Sequence, residues 1–151
     1  MAQSLAAVYL HIVFSTKNRT RFFQDATLRD EVHRYLGGIC KNMDAPPFAV
    51  GGVEDHVHIL CRLSRSVSVA DFVRDLKRES SKWLKTKSRD LGNFHWQDGY
   101  GVFSVSPSHL EAVRTYVANQ ERRHKSESFQ DEFRRLLTKY RVEFDERYVW
   151  D

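Results

Sequence analysis

Hydrophobic residues alternate with polar ones along some segments of the chain and recur at every third or fourth position along others. Alternation is typical of strands, and the longer spacing is typical of helices with one buried face. The pattern predicts strands over 7–15, 48–53, 56–63 and 101–106. It predicts helices over 27–43, 68–84, 108–124 and 129–140.

The first six elements follow the order strand, helix, strand, strand, helix, strand. This is the order of a ferredoxin-like βαββαβ fold, an α+β class in which an antiparallel sheet carries helices on one face. A third helix and a short tail follow, and the last residues of the tail are expected to be extended or loosely docked. We therefore predict a single domain over 1–151, with 126–151 as its tail.

Helix starts are indicated where a polar residue is followed, three positions later, by an acidic one. In this arrangement the first side chain is expected to accept a hydrogen bond from the helix backbone. Three such pairs occur at the predicted helix starts: Thr27 with Asp30, Ser68 with Asp71, and Ser108 with Glu111.

The predicted third strand carries two histidines separated by one residue. Because alternate strand residues point to opposite faces, His56 and His58 share a face, while Val57, Ile59 and Cys61 fill the core. In the ferredoxin-like plan this strand is central, and we expect the histidine face to lie open. Two imidazoles beside a glycine pair are compatible with a metal site, but they also fit two ordinary histidines on a wet face.

The composition allows one domain with a substantial core, since the chain has 151 residues. A net charge of +4 permits binding to a polyanion such as nucleic acid without requiring it. The chain has two cysteines and no C-x-x-C, which is typical of buried thiols in a reducing compartment. Because no leader-like N-terminus or long apolar run occurs, we expect a cytoplasmic protein.

Basic side chains on the predicted second and third helices, and an aromatic loop over 91–100, are candidates for nucleic-acid contacts. Such contacts would combine charge with stacking of rings on unpaired bases. The alternative is a solvated charged face on the helices and rings that pack over a sheet edge. The candidates are Lys77, Arg78, Lys82, Lys85, Trp96, Arg122 and Arg123.

Two further residue types complete a candidate site. Tyr116 and Gln120 are four residues apart on the third helix and are therefore neighbours on one side of it. His11, in the first strand, is a candidate ligand or simply a hydrogen-bonded histidine. Asp55 precedes the third strand and either orients a ligand or acts as a turn residue.

His56-Val57-His58 on a strand, followed by Tyr116-x-x-x-Gln120 on a helix, resembles the IS200/IS605 family of single-tyrosine (Y1) transposases, a branch of the HUH nucleases. The segments 9–14 and 96–100 and the Ser80-Ser81 region accompany these motifs in the expected order. The resemblance extends over roughly residues 5–125 and leaves the tail unmatched.

The resemblance implies that His56, His58 and Gln120 bind one Mg²⁺ or Mn²⁺ ion, and that Tyr116 attacks a phosphate of DNA. It implies a 5′-phosphotyrosine intermediate and a free 3′-OH, so that the strand is rejoined without ATP. It further implies a substrate of single-stranded DNA with hairpins. The working unit would be a homodimer in which each active site combines the histidines of one subunit with the tyrosine helix of the other.

Other functions remain open on the sequence. One is a domesticated relative that processes repeated palindromes as a monomer. A second is a non-catalytic RNA- or DNA-binding module on an RRM-like sheet. A zinc hydrolase would need further ligands near the histidines, and a 2H phosphoesterase would need His-x-Thr/Ser motifs that the chain lacks.

Overall fold

The computed structural model describes residues 2–151. Its strands are β1 (Tyr9–Ser15), β2 (Pro47–Gly52), β3 (His56–Arg62) and β4 (Gly101–Val105). Its α-helices are α1 (Ala26–Asn42), α2 (Val69–Lys85), α3 (Leu110–Ala118), α4 (Gln120–Arg123) and α5 (Phe129–Lys139). No helix among the described residues combines the length and apolar character needed to cross a membrane.

The four strands form one antiparallel sheet in the order β2-β3-β1-β4, which confirms the predicted α+β, ferredoxin-like plan. The strand that carries the histidine pair is central, between β2 and β1. His56 lies opposite Ser15 of β1, and His58 lies opposite Val13. The pair is therefore held by strand hydrogen bonds on both sides.

One face of the sheet forms the main core with α1 and α2. Even-numbered residues of β1 and odd-numbered residues of β3 point into this core, as the alternation predicts. Both cysteines are buried and free, in agreement with structural thiols. The buried strand residues on this face are Leu10, Ile12, Phe14, Val57, Ile59 and Cys61.

The prediction that the histidine face lies open is wrong. His56 and His58 are both 0% exposed, because α3, α4 and α5 cover this side of the sheet. The tail supplies much of the cover: Phe129 and Phe133 of α5 pack with Phe103 of β4. The sheet thus lies between two layers of helices.

The helix starts differ in part from the prediction. Asp25, rather than Thr27, caps α1 and accepts hydrogen bonds from two backbone N–H groups. Ser68 caps α2 as predicted, through the N–H of Asp71. The capping box at Ser108 is absent, because the chain enters α3 through a 3₁₀ turn over Pro107–His109, and the helical path is interrupted after Ala118.

The glycine pair before β3 lets the backbone approach closely. A Cβ at Gly51 would overlap the carbonyl oxygen of Val117, so α3 rests directly on β2 at this point. Gly52 adopts a φ of +153°, and a Cβ there would meet the backbone of His56. These contacts fix the distance between the tyrosine helix and the histidine strand.

The end of the chain docks through Trp150, whereas residues 141–148 are exposed, in agreement with the expectation of an extended or loosely docked segment. The ring of Trp150 lies 6.3 Å from that of Phe129 and 6.0 Å from that of Phe133. Its indole N–H donates to Glu146, which also pairs with Arg134 of α5. Trp150 thereby packs the last residues of the chain on α5.

Candidate active site

Three histidines lie on the face of the sheet covered by α3–α5. His11 of β1 and His58 of β3 are joined by a hydrogen bond of 2.8 Å between Nε2 and Nδ1, respectively. His56 lies two residues before His58, and its ring centroid is 5.1 Å from that of His58. The Nε2 atom of His11, which could otherwise bind a metal, is therefore engaged in a contact with His58.

The tyrosine helix and its continuation add three side chains at intervals of four residues. Tyr116, Gln120 and His124 lie on one side of α3 and α4 and face the histidine pair. The Oε1 atom of Gln120 lies 3.3 Å from Nε2 of His56 and 2.9 Å from Nε2 of His124. The predicted set of Tyr116, Gln120, His56 and His58 is thus brought together within one chain.

A carboxylate from α5 occupies the middle of this group. Oε1 of Glu132 lies 3.0 Å from Nε2 of His58, 3.0 Å from Nε2 of His124 and 3.3 Å from Nε2 of His56. Its other oxygen accepts hydrogen bonds from the amide of Gln120 and the hydroxyl of Tyr116. Glu132 is fully buried, and both of its oxygens are hydrogen-bonded by these neighbours.

This arrangement has the ligand types of a divalent metal centre. His56, His58, His124 and Glu132 each offer one ligand atom, and the four atoms lie within 4.8 Å of one another. Imidazole nitrogens suit ions such as Mn²⁺ and Zn²⁺, and a carboxylate oxygen suits Mg²⁺ and Mn²⁺. The donor set therefore fits one divalent ion.

Burial and the central carboxylate set the charges in the cluster. Burial lowers the pKa of His58 to about 4 and that of His11 to about 3, which keeps both rings neutral at pH 7. Burial also opposes a charge on His56, but hydrogen bonds to Asp55 and Glu132 outweigh it and raise the pKa of His56 to about 9. The three neighbouring imidazoles hold the pKa of Glu132 well below its ordinary value despite its burial.

Asp55 contacts the first histidine of the pair. Its Oδ1 lies 2.7 Å from Nδ1 of His56, which leaves Nε2 of that ring directed at Glu132. A carboxylate in this position fixes the orientation of a histidine and raises its basicity. The contact is compatible with the orienting role that the sequence suggested for Asp55, and this role stays a prediction.

Tyr116 lies between the cluster and two guanidinium groups. Its hydroxyl donates to Glu132 and accepts a hydrogen bond of 2.8 Å from Arg135 of α5. The guanidinium of Arg123 lies over the ring, 4.4 Å from its centroid. Burial and Glu132 raise the pKa of Tyr116 above its ordinary value, while Arg135 opposes that rise.

The candidate DNA-contact residues are placed in different ways. Trp96 is only 6% exposed, and its indole N–H donates to Ser80, so its ring belongs to the core. The ammonium of Lys77 is bound by the carbonyl oxygens of Gln97, Asp98 and Gly99. Trp96 and Lys77 therefore stabilise the fold, and this is not the DNA contact that was expected of them.

The remaining candidates lie at the surface. Lys82, Lys85 and Arg122 are exposed, whereas Arg78 pairs with the carboxylates of Asp75 and Glu79. Arg123 lies beside Tyr116 and is the one candidate in contact with the site. Since α2 packs on the opposite face of the sheet, the basic side chains of α2 are remote from the tyrosine.

Sequence reasoning missed three residues of the site: His124, Glu132 and Arg135. His124 follows Gln120 by four residues, so helical spacing alone places it on the tyrosine side. Glu132 lies on the buried face of α5, between Phe129 and Leu136. A carboxylate at such a position indicates a buried hydrogen-bond or charge partner.

The chain belongs to the family of IS200-like transposases, since a profile of that family matches residues 4–120. This confirms the resemblance found in the sequence and supports a transposase function. The match includes the histidine pair, Tyr116 and Gln120. It ends before His124 and Glu132, which the structure adds to the cluster.

Two solved structures share the fold. One is a protein of Deinococcus radiodurans R1, provisionally described as a transposase, which is 23% identical with a TM-score of 0.61 over 80% of this chain and 95% of that one. The other is a REP-associated tyrosine transposase bound to a REP hairpin, which is 14% identical with a TM-score of 0.59 over 82% of this chain and 74% of that one. No curated protein sequence matched the chain.

Proposed function

We propose that this transposase nicks and rejoins hairpin-bearing single-stranded DNA, with Tyr116 as the nucleophile and Mg²⁺ or Mn²⁺ as the cofactor. The observation that carries the proposal is the contact of the Tyr116 hydroxyl with Glu132, which lies among three other metal-capable side chains. Nucleophile and ligands converge here without any residue from a second chain.

The proposed reaction exchanges one phosphoester bond for another. The Tyr116 hydroxyl oxygen forms a bond to phosphorus, and the bond from phosphorus to the 3′ oxygen breaks. The phenol proton lies in a hydrogen bond to Glu132, which is placed to accept it, and the leaving oxygen takes up a proton to become a 3′-OH. The strand remains attached through a 5′-phosphotyrosine, and attack by a 3′-OH reverses the step.

The residues of the cluster fit the divalent ion that this chemistry requires. His56, His58, His124 and Glu132 would hold it, with Gln120 beside them as a further oxygen donor. A bound divalent ion polarises the scissile phosphate as a Lewis acid. Three imidazoles suit Mn²⁺ better than Mg²⁺, which prefers oxygen ligands.

Arg135 supports the role proposed for Tyr116. A phenol has a pKa near 10, so the phenolate needs a neighbouring positive charge to form at pH 7. Arg135 donates a hydrogen bond to this oxygen and Arg123 lies over the ring. Both guanidinium groups are placed to balance the charge that develops on the tyrosine and on the phosphate.

Hairpin DNA is the proposed substrate class. The similar REP-associated transposase was solved with a REP hairpin, and the net charge of +4 suits a polyanion. The same similarity favours the second candidate function, processing of repeated palindromes by a domesticated relative. Both functions use the same chemistry, and they differ in whether the chain mobilises its own gene.

A homodimer, which the resemblance implies, stays a prediction.

The decisive experiment is incubation with labelled single-stranded hairpin DNA and Mn²⁺ or Mg²⁺, followed by denaturing electrophoresis. We expect a covalent protein–DNA adduct that disappears with Tyr116→Phe, with His56→Ala and with EDTA. Tyr148→Phe is the matched control, since Tyr148 is 63% exposed and lies in the tail, and it should leave the adduct unchanged.

The same experiment separates the proposal from its main rival. A non-catalytic RNA- or DNA-binding module would bind the hairpin without forming an adduct and would be indifferent to the metal and to Tyr116→Phe. A normal adduct yield from Tyr116→Phe would exclude Tyr116 as the nucleophile.

A further inference from the structure

A cavity of about 570 Å³ opens next to Tyr116. It lies between the end of β4, α3 and the last turns of α5. Its volume is within the range of about 300–1,000 Å³ typical of small-ligand sites. The proposed reaction uses Tyr116 and the histidine cluster and leaves this cavity unexplained.

The rim of the cavity is positively charged. Arg123, Arg135 and Lys139 line it, and no carboxylate does. Glu127, outside the cavity, pairs with Arg135 at 3.0 Å and with Arg123 at 3.7 Å. One carboxylate thus pairs with two of the three cations, and the structure gives the third, Lys139, no ion-pair partner among residues 2–151. The rim has the charge that binds a phosphate.

The walls are apolar and the mouth is polar. Val105, Val113 and Leu136 provide aliphatic surface, and the ring of Tyr140 lines the cavity while packing on Phe103 at a centroid distance of 4.7 Å. At the mouth, Ser106 and His109 are exposed and hydrogen-bonded to each other. Apolar walls, an aromatic ring and polar groups at the mouth match the flat faces and polar edges of a nucleobase.

We propose that this cavity binds one nucleotide of the single strand, the one that adjoins the phosphate attacked by Tyr116. Its base would lie against Tyr140 and the aliphatic wall, and its phosphate would contact Lys139 and Arg135. The proposal rests on the proposed function for the position of the attacked phosphate. The prediction that the cavity binds a nucleotide depends only on the residues that line the cavity.

The cavity adjoins the attacking oxygen directly. Tyr116 is part of its lining, and Arg135 contacts both the cavity and the Tyr116 hydroxyl. A strand whose phosphate lies at this hydroxyl has its next nucleotide within reach of the cavity. Occupancy would therefore position the scissile phosphate, which is how binding at a distance from the reacting bond accelerates a reaction.

Binding is tested without cleavage, in EDTA, so that failure of the proposed chemistry does not decide the outcome. Thymidine 5′-monophosphate is titrated into the ¹⁵N-labelled protein, and amide shifts are followed. We expect shifts around residues 104–106 and 139–140. Lys139→Glu should weaken binding about 5-fold or more, since it replaces a phosphate contact by a repulsion, and Ala112→Trp should abolish it by filling the cavity.

The matched controls change the same residue types elsewhere. Lys41→Glu lies on α1, on the opposite face of the sheet, and Ala118→Trp lies at the exposed end of α3; both should bind thymidine 5′-monophosphate like the wild type. Inorganic phosphate should bind more weakly than the nucleotide. Equal weakening by Lys139→Glu and Lys41→Glu, or no binding by the wild type, would overturn the proposal.

A second arm distinguishes a free nucleotide from a nucleotide of the strand. An abasic residue is moved along the single-stranded flank of a labelled hairpin, and binding is measured by anisotropy. We expect one position at which the abasic residue weakens binding by the wild type but not by Ala112→Trp. If thymidine 5′-monophosphate binds and no such position exists, the cavity serves a free nucleotide and the assignment to the strand is wrong.

Discussion

At the scale of single residues, Glu132 determines the chemistry of the cluster. Its carboxylate is buried among three imidazoles and offers an anionic ligand atom beside theirs. A neutral His-His-Gln site would attract a dication through dipoles alone. With Glu132 the site gains a full negative charge in a region shielded from water.

Replacing this carboxylate by an amide should weaken metal binding. We expect Glu132→Gln to reduce the affinity for Mn²⁺ at least about 10-fold, because it removes the carboxylate of the cluster while keeping the shape of the side chain. Isothermal titration calorimetry measures the change, with Glu143→Gln in the exposed tail as the control. Unchanged affinity in Glu132→Gln would mean that the ion is held by the histidines and Gln120 alone.

The raised pKa of His56 predicts a pH-dependent stability in the metal-free protein. The ring titrates near 6.5 when unfolded and at about 9 when folded, so its charge stabilises the fold fully below pH 6.5 and this contribution is lost as the pH rises to 9. Asp55→Asn removes one of the two carboxylates responsible. We expect it to lower the free energy of unfolding by about 1–3 kcal/mol at pH 6 and much less at pH 9.5.

Urea unfolding in EDTA at the two pH values measures this difference. Asp90→Asn, at an exposed position remote from the site, should have the same small effect at both. An equal loss of stability in Asp55→Asn at pH 6 and pH 9.5 would show that Asp55 stabilises the fold without the charge on His56.

The sequence was sufficient for residues whose positions follow from local periodicity. The alternation of β3 placed His56 and His58 on one face, and the spacing of four placed Gln120 beside Tyr116. Glu132 could not be placed in this way. Its contact with His58 spans 74 positions and depends on how the tail folds back, which no local pattern determines.

At the scale of elements, α5 and Gly101 of β4 explain what the sequence did not predict. The strand order and the two helices of the main core followed from the pattern of apolar positions. The closure of the second face did not, because a short amphipathic helix after a polar break can dock in several places. Phe133 selects one of them, since its ring lies where a Cβ on Gly101 would otherwise be.

Gly51 provides a test of how closely α3 must approach the sheet. We expect Gly51→Ala to lower the free energy of unfolding by roughly 1–3 kcal/mol and to reduce adduct formation, because the new Cβ meets the carbonyl oxygen of Val117 and displaces the helix that carries Tyr116. Thermal unfolding and the adduct assay measure the two effects.

Gly38→Ala is the matched control, since it makes the same change at a helical glycine with no atom within 4 Å of the new Cβ. It should stabilise the protein by about 0.5–1 kcal/mol and leave the adduct yield unchanged. If Gly51→Ala behaves like Gly38→Ala, then α3 is not held at the distance that the backbone contact indicates.

At the scale of the whole molecule, one chain contains every residue of the candidate site. The resemblance implies active sites shared between two subunits, whereas here Tyr116 contacts Glu132 of its own chain, and Glu132 contacts His58 of that chain. The docked tail favours this arrangement, because α5 bridges the tyrosine and the histidines. A homodimer is compatible with it, but the site does not require one.

Mixing two inactive variants distinguishes sites within one chain from shared sites. Tyr116→Phe lacks the nucleophile and His58→Ala lacks a ligand, and the two are unfolded and refolded together so that subunits can exchange. Shared sites would restore roughly a quarter of the wild-type adduct, since half of the dimers are mixed and each has one complete site. We expect no adduct from the mixture at any ratio, because each chain then carries one defective site whatever its partner. Gel filtration of the same samples shows whether dimers are present, so that an absence of adduct in a dimeric sample assigns the site to a single chain.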